Sequence, residues 1–226
     1  MHILKSCRVE ASALFAQLTP EVGALGLASF LLGVLMGRYR PIHTALDISH
    51  RDVRNKRRLA VFVVSVADGD SIRVRHRPLW ACLRGLPAFK RVADSSIAVR
   101  VAAVDAPELP HFGQPGQPYA EEARQFVERR LLHRRATIKV LARDQYGRLV
   151  ASVRYGMWPF RRGLSQELLK AGMAVVYKQS GAEIGFDGKQ EDYRWLEEQA
   201  RRKKLGLWKQ GNKLVKPSEY KKDAKK

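Results

Sequence analysis

Three short stretches carry side chains that could act together on a phosphate ester. They are Asp68-Gly69-Asp70, the run RVAAVDAPE from Arg100 to Glu108, and Asp144-Gln145-Tyr146-Gly147-Arg148. Each alone reads as a turn, because Gly accepts a left-handed backbone, Asp bonds its own main chain and Pro stops strand pairing. Together they hold what a phosphodiesterase needs: a hard cation, a positioned water and cationic clamps. Asp70, Asp105 and a nearby carbonyl are oxygen donors of the kind Ca2+ or Mg2+ prefers. Glu108 is a base for water, and Arg100 and Arg148 offer forked donors to phosphoryl oxygens. Two weaker candidates lie close by. His111 could approach a scissile phosphate or be an exposed loop residue, and Tyr119 could contact nucleic acid or pack against a helix.

The elements that must position these groups follow from hydropathy patterning. Residues 59–66 and 71–76 are β-branched runs flanking the DGD turn, and residues 96–104 resume the strand pattern after an irregular insertion at 77–95. Residues 136–141 and 149–155 bracket the DQYGR turn. A helix from Pro118 onward has acids Glu121 and Glu122 in its first turn and Arg129 and Arg130 at its end. A second helix spans 165–171 and stops at Gly172. A third spans 191–204, with Tyr193, Leu196 and Ala200 on one stripe. Five strands with three helices between them describe an α+β fold built on an OB-type five-stranded β-barrel, a scaffold that often binds oligonucleotides.

The chain has 226 residues and a formal net charge of +20, which favours a polyanionic partner. Two cysteines, Cys7 and Cys82, exclude a disulfide scaffold and a zinc cluster. Charge is unevenly placed. In residues 1–37 the basic and acidic side chains cancel, so the whole excess lies in residues 38–226. Residues 22–37, VGALGLASFLLGVLMG, carry no charge and span roughly 24 Å as a helix, short of a hydrocarbon core of about 30 Å. They are read as a single-pass transmembrane helix, with a targeting peptide and a buried core helix as the alternatives. The basic residues after the run place the large domain on the positive-inside face. The resulting organisation is a short N-terminal segment (1–21), an anchor (22–37), a basic linker (38–58), a catalytic domain (59–210) and a basic mobile tail (211–226).

In order, sequence and strand context, the three stretches resemble the staphylococcal nuclease (thermonuclease) family over about residues 59–210. The resemblance implies a calcium-dependent nuclease on an OB barrel with three helices. It implies Asp70, Asp105 and the backbone carbonyl of Ala106 at the metal, Arg100 and Arg148 at the phosphate, and Glu108 activating water. Where the family commonly has Thr, this chain has Ala106. A narrower likeness lies in VDAPELPHFGQPGQPYAEEA and FDGKQEDYRWLEEQARRKKLGLW, which resemble single-pass endonucleases of fungi assigned to mitochondria. That branch implies an endonuclease at a mitochondrial membrane, its nuclease domain facing the cytosol or the matrix. The family cuts DNA and RNA, single strands favoured, leaving 3′-phosphate ends. The competing expectation is a catalytically inactive OB module that binds single-stranded nucleic acid at a membrane.

Overall fold

The computed structural model describes residues 25–27, 29, 42–77, 96–110, 113, 115–177 and 185–223. The chain divides into two units, Met1–Arg40 and Pro41–Lys226. In the first, residues 25–27 and 29 are helical, and Leu25 and Leu27 are exposed. The rest of the expected anchor and His111 lie outside the described residues, as does nearly all of the expected insertion. Among the described residues no helix is long and apolar enough to cross a membrane.

The second unit begins earlier than residue 59. Thr44 and Ser49 start a 3-10 turn (Ala45–Asp47) and helix α1 (His50–Arg54), each through a capping box with the acid three residues on. Ile42, Ala45 and Ile48 are buried, and the Arg143 guanidinium donates to the carbonyls of Ala45 and Ile48. The expected linker is therefore, over residues 42–57, part of the folded unit. Its charged residues face outward around two buried isoleucines.

Strands β1 (Arg58–Asp68) and β2 (Ser71–His76) form a hairpin turning at Gly69-Asp70. Strand β3 (Ile97–Val101) pairs with β2, and β5 (Arg135–Arg143) pairs with β1. Strand β6 (Leu149–Tyr155) pairs antiparallel with β5 and parallel with β3. That last pairing returns the sheet on itself, so β1, β2, β3, β6 and β5 make a closed circuit of hydrogen-bonded neighbours. Alternate residues Val61, Val63, Ile72, Val74, Val99, Ile138 and Val153 fill its inside, each at most 1% exposed. The short strand β7 (Arg162–Gly163) extends the sheet beyond β6.

The strand expected over residues 96–104 is broken. Ala102 and Ala103 form a turn, with Ala103 at φ 69°, and the chain leaves the circuit. Strand β4 (Val104–Asp105) pairs instead with β8 (Val175–Val176). Helices α2 (Ala120–Leu131), α3 (Leu164–Lys170) and α4 (Gln190–Arg202) bury the apolar stripes expected of them. Gly172 ends α3 at φ +66°, where a Cβ would meet the Leu205 carbonyl oxygen at 2.2 Å.

Within the tail expected to be mobile at 211–226, the described residues carry secondary structure. Residues Gly206–Lys213 form 3-10 turns and Pro217–Asp223 form helix α5. Leu207 and Pro217 are buried beneath the lysines.

Candidate active site

Asp70, Arg100 and Asp105 lie at the ends of strands, and Glu108 and Arg148 on the loops beside them. The tight β1–β2 turn sets Asp70 against β3, where the Val101 N–H donates to the Asp70 carbonyl at 2.8 Å. Gly69 is required there by contact, not by a left-handed backbone. A Cβ on it would lie 2.7 Å from the Ala106 Cβ and 2.9 Å from the Ala123 Cβ. The turn thus packs directly on the residue that follows Asp105. At the far side of β3, the Ala102–Ala103 kink is pinned by Ala102 N–H to the Ala151 carbonyl, by the Ser165 hydroxyl to the Ala102 carbonyl, and by Tyr177 N–H to the Ala103 carbonyl. The kink swings Asp105 back toward Arg100.

The result is a compact charged group. Arg100 Nη2 lies 3.3 Å from Asp70 Oδ2 and 3.1 Å from Asp105 Oδ1. The two aspartates are 3% and 1% exposed. Asp70 Oδ1 accepts from the Ser71 hydroxyl, while Asp70 Oδ2 is buried without a hydrogen bond. Burial works against the charge of the Arg100 guanidinium, but Asp70 and Asp105 outweigh it and hold its pKa above the ordinary value. The guanidinium also lies over the Tyr177 ring, 5.1 Å from its centre.

Two buried carboxylates against one guanidinium leave one negative charge in excess in a water-poor place. Asp70 Oδ2 makes no hydrogen bond and is met by the Arg100 guanidinium at 3.3 Å, and a second cation beside it would relieve the cost of burying that charge. All-oxygen donors fit a hard divalent ion and no soft one. Among the described residues no three His, Cys, Asp or Glu side chains gather into a metal-binding cluster, so the carboxylate share of the site is the Asp70–Asp105 pair. Ala106, fully buried, follows that pair immediately.

Glu108 and Arg148 are held by their own loops. The Glu108 main chain is clamped on both sides by Gln117: its N–H donates to Gln117 Oε1 at 3.0 Å, and its carbonyl accepts from the Gln117 N–H at 2.8 Å. Gln117 Nε2 donates in turn to the Val215 carbonyl at 3.0 Å, and the Tyr220 hydroxyl donates to the Pro115 carbonyl. The C-terminal segment therefore straps the loop that carries Glu108. Arg148 Nε donates to Asp144 Oδ2 at 2.7 Å, and Asp144 Oδ1 accepts from the main chain of Tyr146 and Arg148. In the parallel β3–β6 register Arg100 faces Val150. Arg148 immediately precedes β6, so its turn opens at the end of the strand that pairs with β3. Tyr119 precedes α2 at φ 69° and is half-exposed.

The matching family model is that of the staphylococcal nuclease homologues, over residues 98–210. The chain is 40% identical over 195 residues to "Probable endonuclease LCL3" of Clavispora lusitaniae, covering 83% of each. It is 39% identical over 200 residues to "Endonuclease Htp3" of Saprolegnia parasitica, covering 88% of this chain and 92% of that one. The chain belongs to the staphylococcal nuclease homologue family. A further member, "Probable endonuclease LCL3" of Paracoccidioides lutzii, is 42% identical over 181 residues, 74% of this chain but 52% of its own length. The span matched by the family model holds Arg100, Asp105, Glu108 and Arg148, whereas Asp70 stands before it on the β1–β2 turn.

Four residues around this site escaped the sequence reading: Ser71, Gln117, Asp144 and Tyr177. Asp144 stands inside a quoted motif and Ser71 directly follows Asp70, so both had a local signal. Gln117 stands in the same quoted stretch as Glu108, nine residues on, but its type alone announces no clamp; Tyr177 meets Ala103 and Arg100 from far along the chain.

Proposed function

We propose that the chain is a divalent-metal-dependent endonuclease that hydrolyses phosphodiester bonds of DNA and RNA, attached to a membrane through residues 22–37. Nuclease function rests on family membership and on the endonuclease names of its relatives. The finer reading rests on one observation, the buried Asp70–Asp105 pair sharing Arg100 at the end of β3. The closed circuit of five strands supports reading the scaffold as an OB-type barrel, which presents such loops to a nucleic acid strand.

In this reading Asp70, Asp105 and the Ala106 carbonyl hold the ion, Ca2+ in preference to Mg2+ by family resemblance. Such an ion, when bound, neutralises developing phosphoryl charge. Glu108 takes a proton from water as the water oxygen forms its bond to phosphorus. The bond from phosphorus to the 5′ oxygen breaks, leaving a 3′-phosphate and a 5′ oxyanion that takes a proton from solvent to become the hydroxyl. Arg100 and Arg148 face the phosphoryl oxygens, Arg100 held by its aspartates and Arg148 by Asp144. Tyr119 and His111 are placed here along the nucleic acid. A mitochondrial membrane is the proposed location, with the catalytic unit on the cytosolic or matrix side.

The test is cleavage of single-stranded DNA and RNA by the full chain with Ca2+, with Mg2+ or with chelator, followed by identification of the product ends. Cleavage needing a divalent ion and leaving 3′-phosphates supports the proposal. Undiminished cleavage by Glu108→Gln would falsify the role given to Glu108. Tight binding without any cleavage would favour the inactive OB module.

A further inference from the structure

The hairpin between β6 and β7 presents Met157, Trp158 and Phe160 to solvent at 84%, 83% and 81% exposure. Scattered exposed apolar residues are ordinary, but three large ones within four positions at a hairpin tip are not. Nothing in the phosphodiester site uses them. The tip sits at the opposite end of β6 from Arg148, about 20 Å away at the rise of an extended strand.

Its surroundings are strongly basic. Arg161 and Arg162 follow the tip directly, and Arg162 pairs with Tyr155. The β5–β6 register sets Ala136 opposite Tyr155, which brings Arg134 and Arg135 to the same end, and Arg154 lies one step back. All five arginines are exposed. Glu167, whose charge helps raise the Tyr155 pKa after burial, is the acid on the packed helix α3. Positive charge thus prevails around the apolar tip.

We propose that this tip is a docking element for an anionic lipid bilayer. Met157, Trp158 and Phe160 enter the boundary between headgroups and acyl chains, and the arginines rest against lipid phosphates. Trp is suited to that boundary, with an apolar ring and one N–H to hydrate. Each arginine near an anionic surface adds attraction that salt weakens. Base stacking along a substrate strand calls for aromatic rings beside the phosphate-handling turn, and these rings sit at the other end of the strand. Seated on a bilayer by this tip, the unit keeps Asp70, Asp105 and Arg148 away from the lipid. The contact is separate from residues 22–37 and does not depend on the hydrolytic reading.

The experiment uses the full chain on vesicles of phosphatidylcholine mixed with phosphatidylserine, their acyl chains brominated, in chelator and without nucleic acid. Bromine quenches a tryptophan that enters the acyl region. The wild type is expected to show quenching that Trp158→Phe lacks, the difference isolating Trp158 from the other tryptophans. A variant with Arg134, Arg135, Arg161 and Arg162 changed to Gln is expected to lose that Trp158-dependent quenching on the anionic vesicles. Circular dichroism checks that each variant is folded. Equal quenching in the wild type and Trp158→Phe overturns the proposal. So does a combined Met157→Ser, Trp158→Ser, Phe160→Ser variant that loses affinity for single-stranded DNA while Trp158 of the wild type stays unquenched, for then the tip stacks on bases. Because no cleavage is measured, failure here and failure of the nuclease reading are told apart.

Discussion

Gln117 is the residue whose replacement most directly tests how the site is held. It fixes the main chain of Glu108 and ties that loop to the C-terminal strap at Val215. Gln117→Ala removes both side-chain hydrogen bonds and leaves the Glu108 N–H without its acceptor. Val215 is 49% exposed, so water replaces that half of the loss, whereas the half-buried Glu108 amide is less easily hydrated. The expected cost to stability is about 1–3 kcal/mol, or a fall in Tm of about 2–10 °C for a unit of this size. The cost to turnover should be larger than that change suggests. If Glu108 takes the water proton, a displacement of about 1 Å lowers kcat by about a hundredfold, with KM nearly unchanged. Gln117→Glu separates the two contacts, because it keeps an acceptor for the Glu108 amide and drops the donor to Val215. It should recover part of kcat, limited by the new negative charge beside the base. The assay is steady-state cleavage of a labelled single strand in Ca2+, with thermal unfolding of each variant alongside. A Gln117→Ala enzyme with a lowered Tm but wild-type kcat, measured where Glu108→Gln is inactive, refutes the positioning argument and leaves Gln117 a purely structural residue.

Gly69→Ala should be costly, since its Cβ would lie 2.7 Å from that of Ala106; about 1–3 kcal/mol of overpacking is expected, read by urea unfolding, together with weaker Ca2+ binding by calorimetry. Removing residues 1–58 should destabilise the catalytic unit much more than removing residues 1–41. The longer cut loses the burial of Ile42 and Ile48, about 1.5–3 kcal/mol each, which comparison of the two denaturant midpoints will show. His76 gives a pH dependence. Burial first, then the charge of Arg57 and of His43, lower its pKa from 6.5 to about 4, and its Nδ1 accepts from the Ile42 N–H. The folded state therefore prefers neutral imidazole. Its contribution is full above the unfolded value of 6.5 and is lost as pH falls from there toward about 4. The loss would be about 3 kcal/mol without screening and about half that for a partly hydrated ring. Asp47 and Asp52, with lowered pKa values, lose their contribution below the ordinary carboxylate value of 3.8, so the two effects fall in different windows. Urea midpoints of the wild type and His76→Gln should converge as pH is lowered from 6.5 to about 4, and parallel curves would remove His76 from the account.

The three chemical stretches could be read from sequence because turn-forming residues mark strand ends, and strand ends are where this fold keeps its reactive groups. Residues 149–155 form β6 as expected, and the stripe of Tyr193, Leu196 and Ala200 is buried as expected. What stayed hidden was set by distant contacts. Ala102 and Ala103 look like any small apolar pair in a strand; the kink exists because Ser165, Ala151 and Tyr177 bind its main chain. Residues 42–57 looked like a linker because their arginines and lysines outnumber Ile42 and Ile48, although it is those two that are buried. Among residues 211–223 the lysines likewise conceal a buried Pro217.

The clamp from Gln117 to Val215 joins positions 98 residues apart. It is therefore among the last contacts available to a chain emerging from the ribosome in order. Until Val215 and Tyr220 have been made, the segment bearing Glu108 lacks its fastener, so the order of synthesis is also the order in which this loop can be tied down.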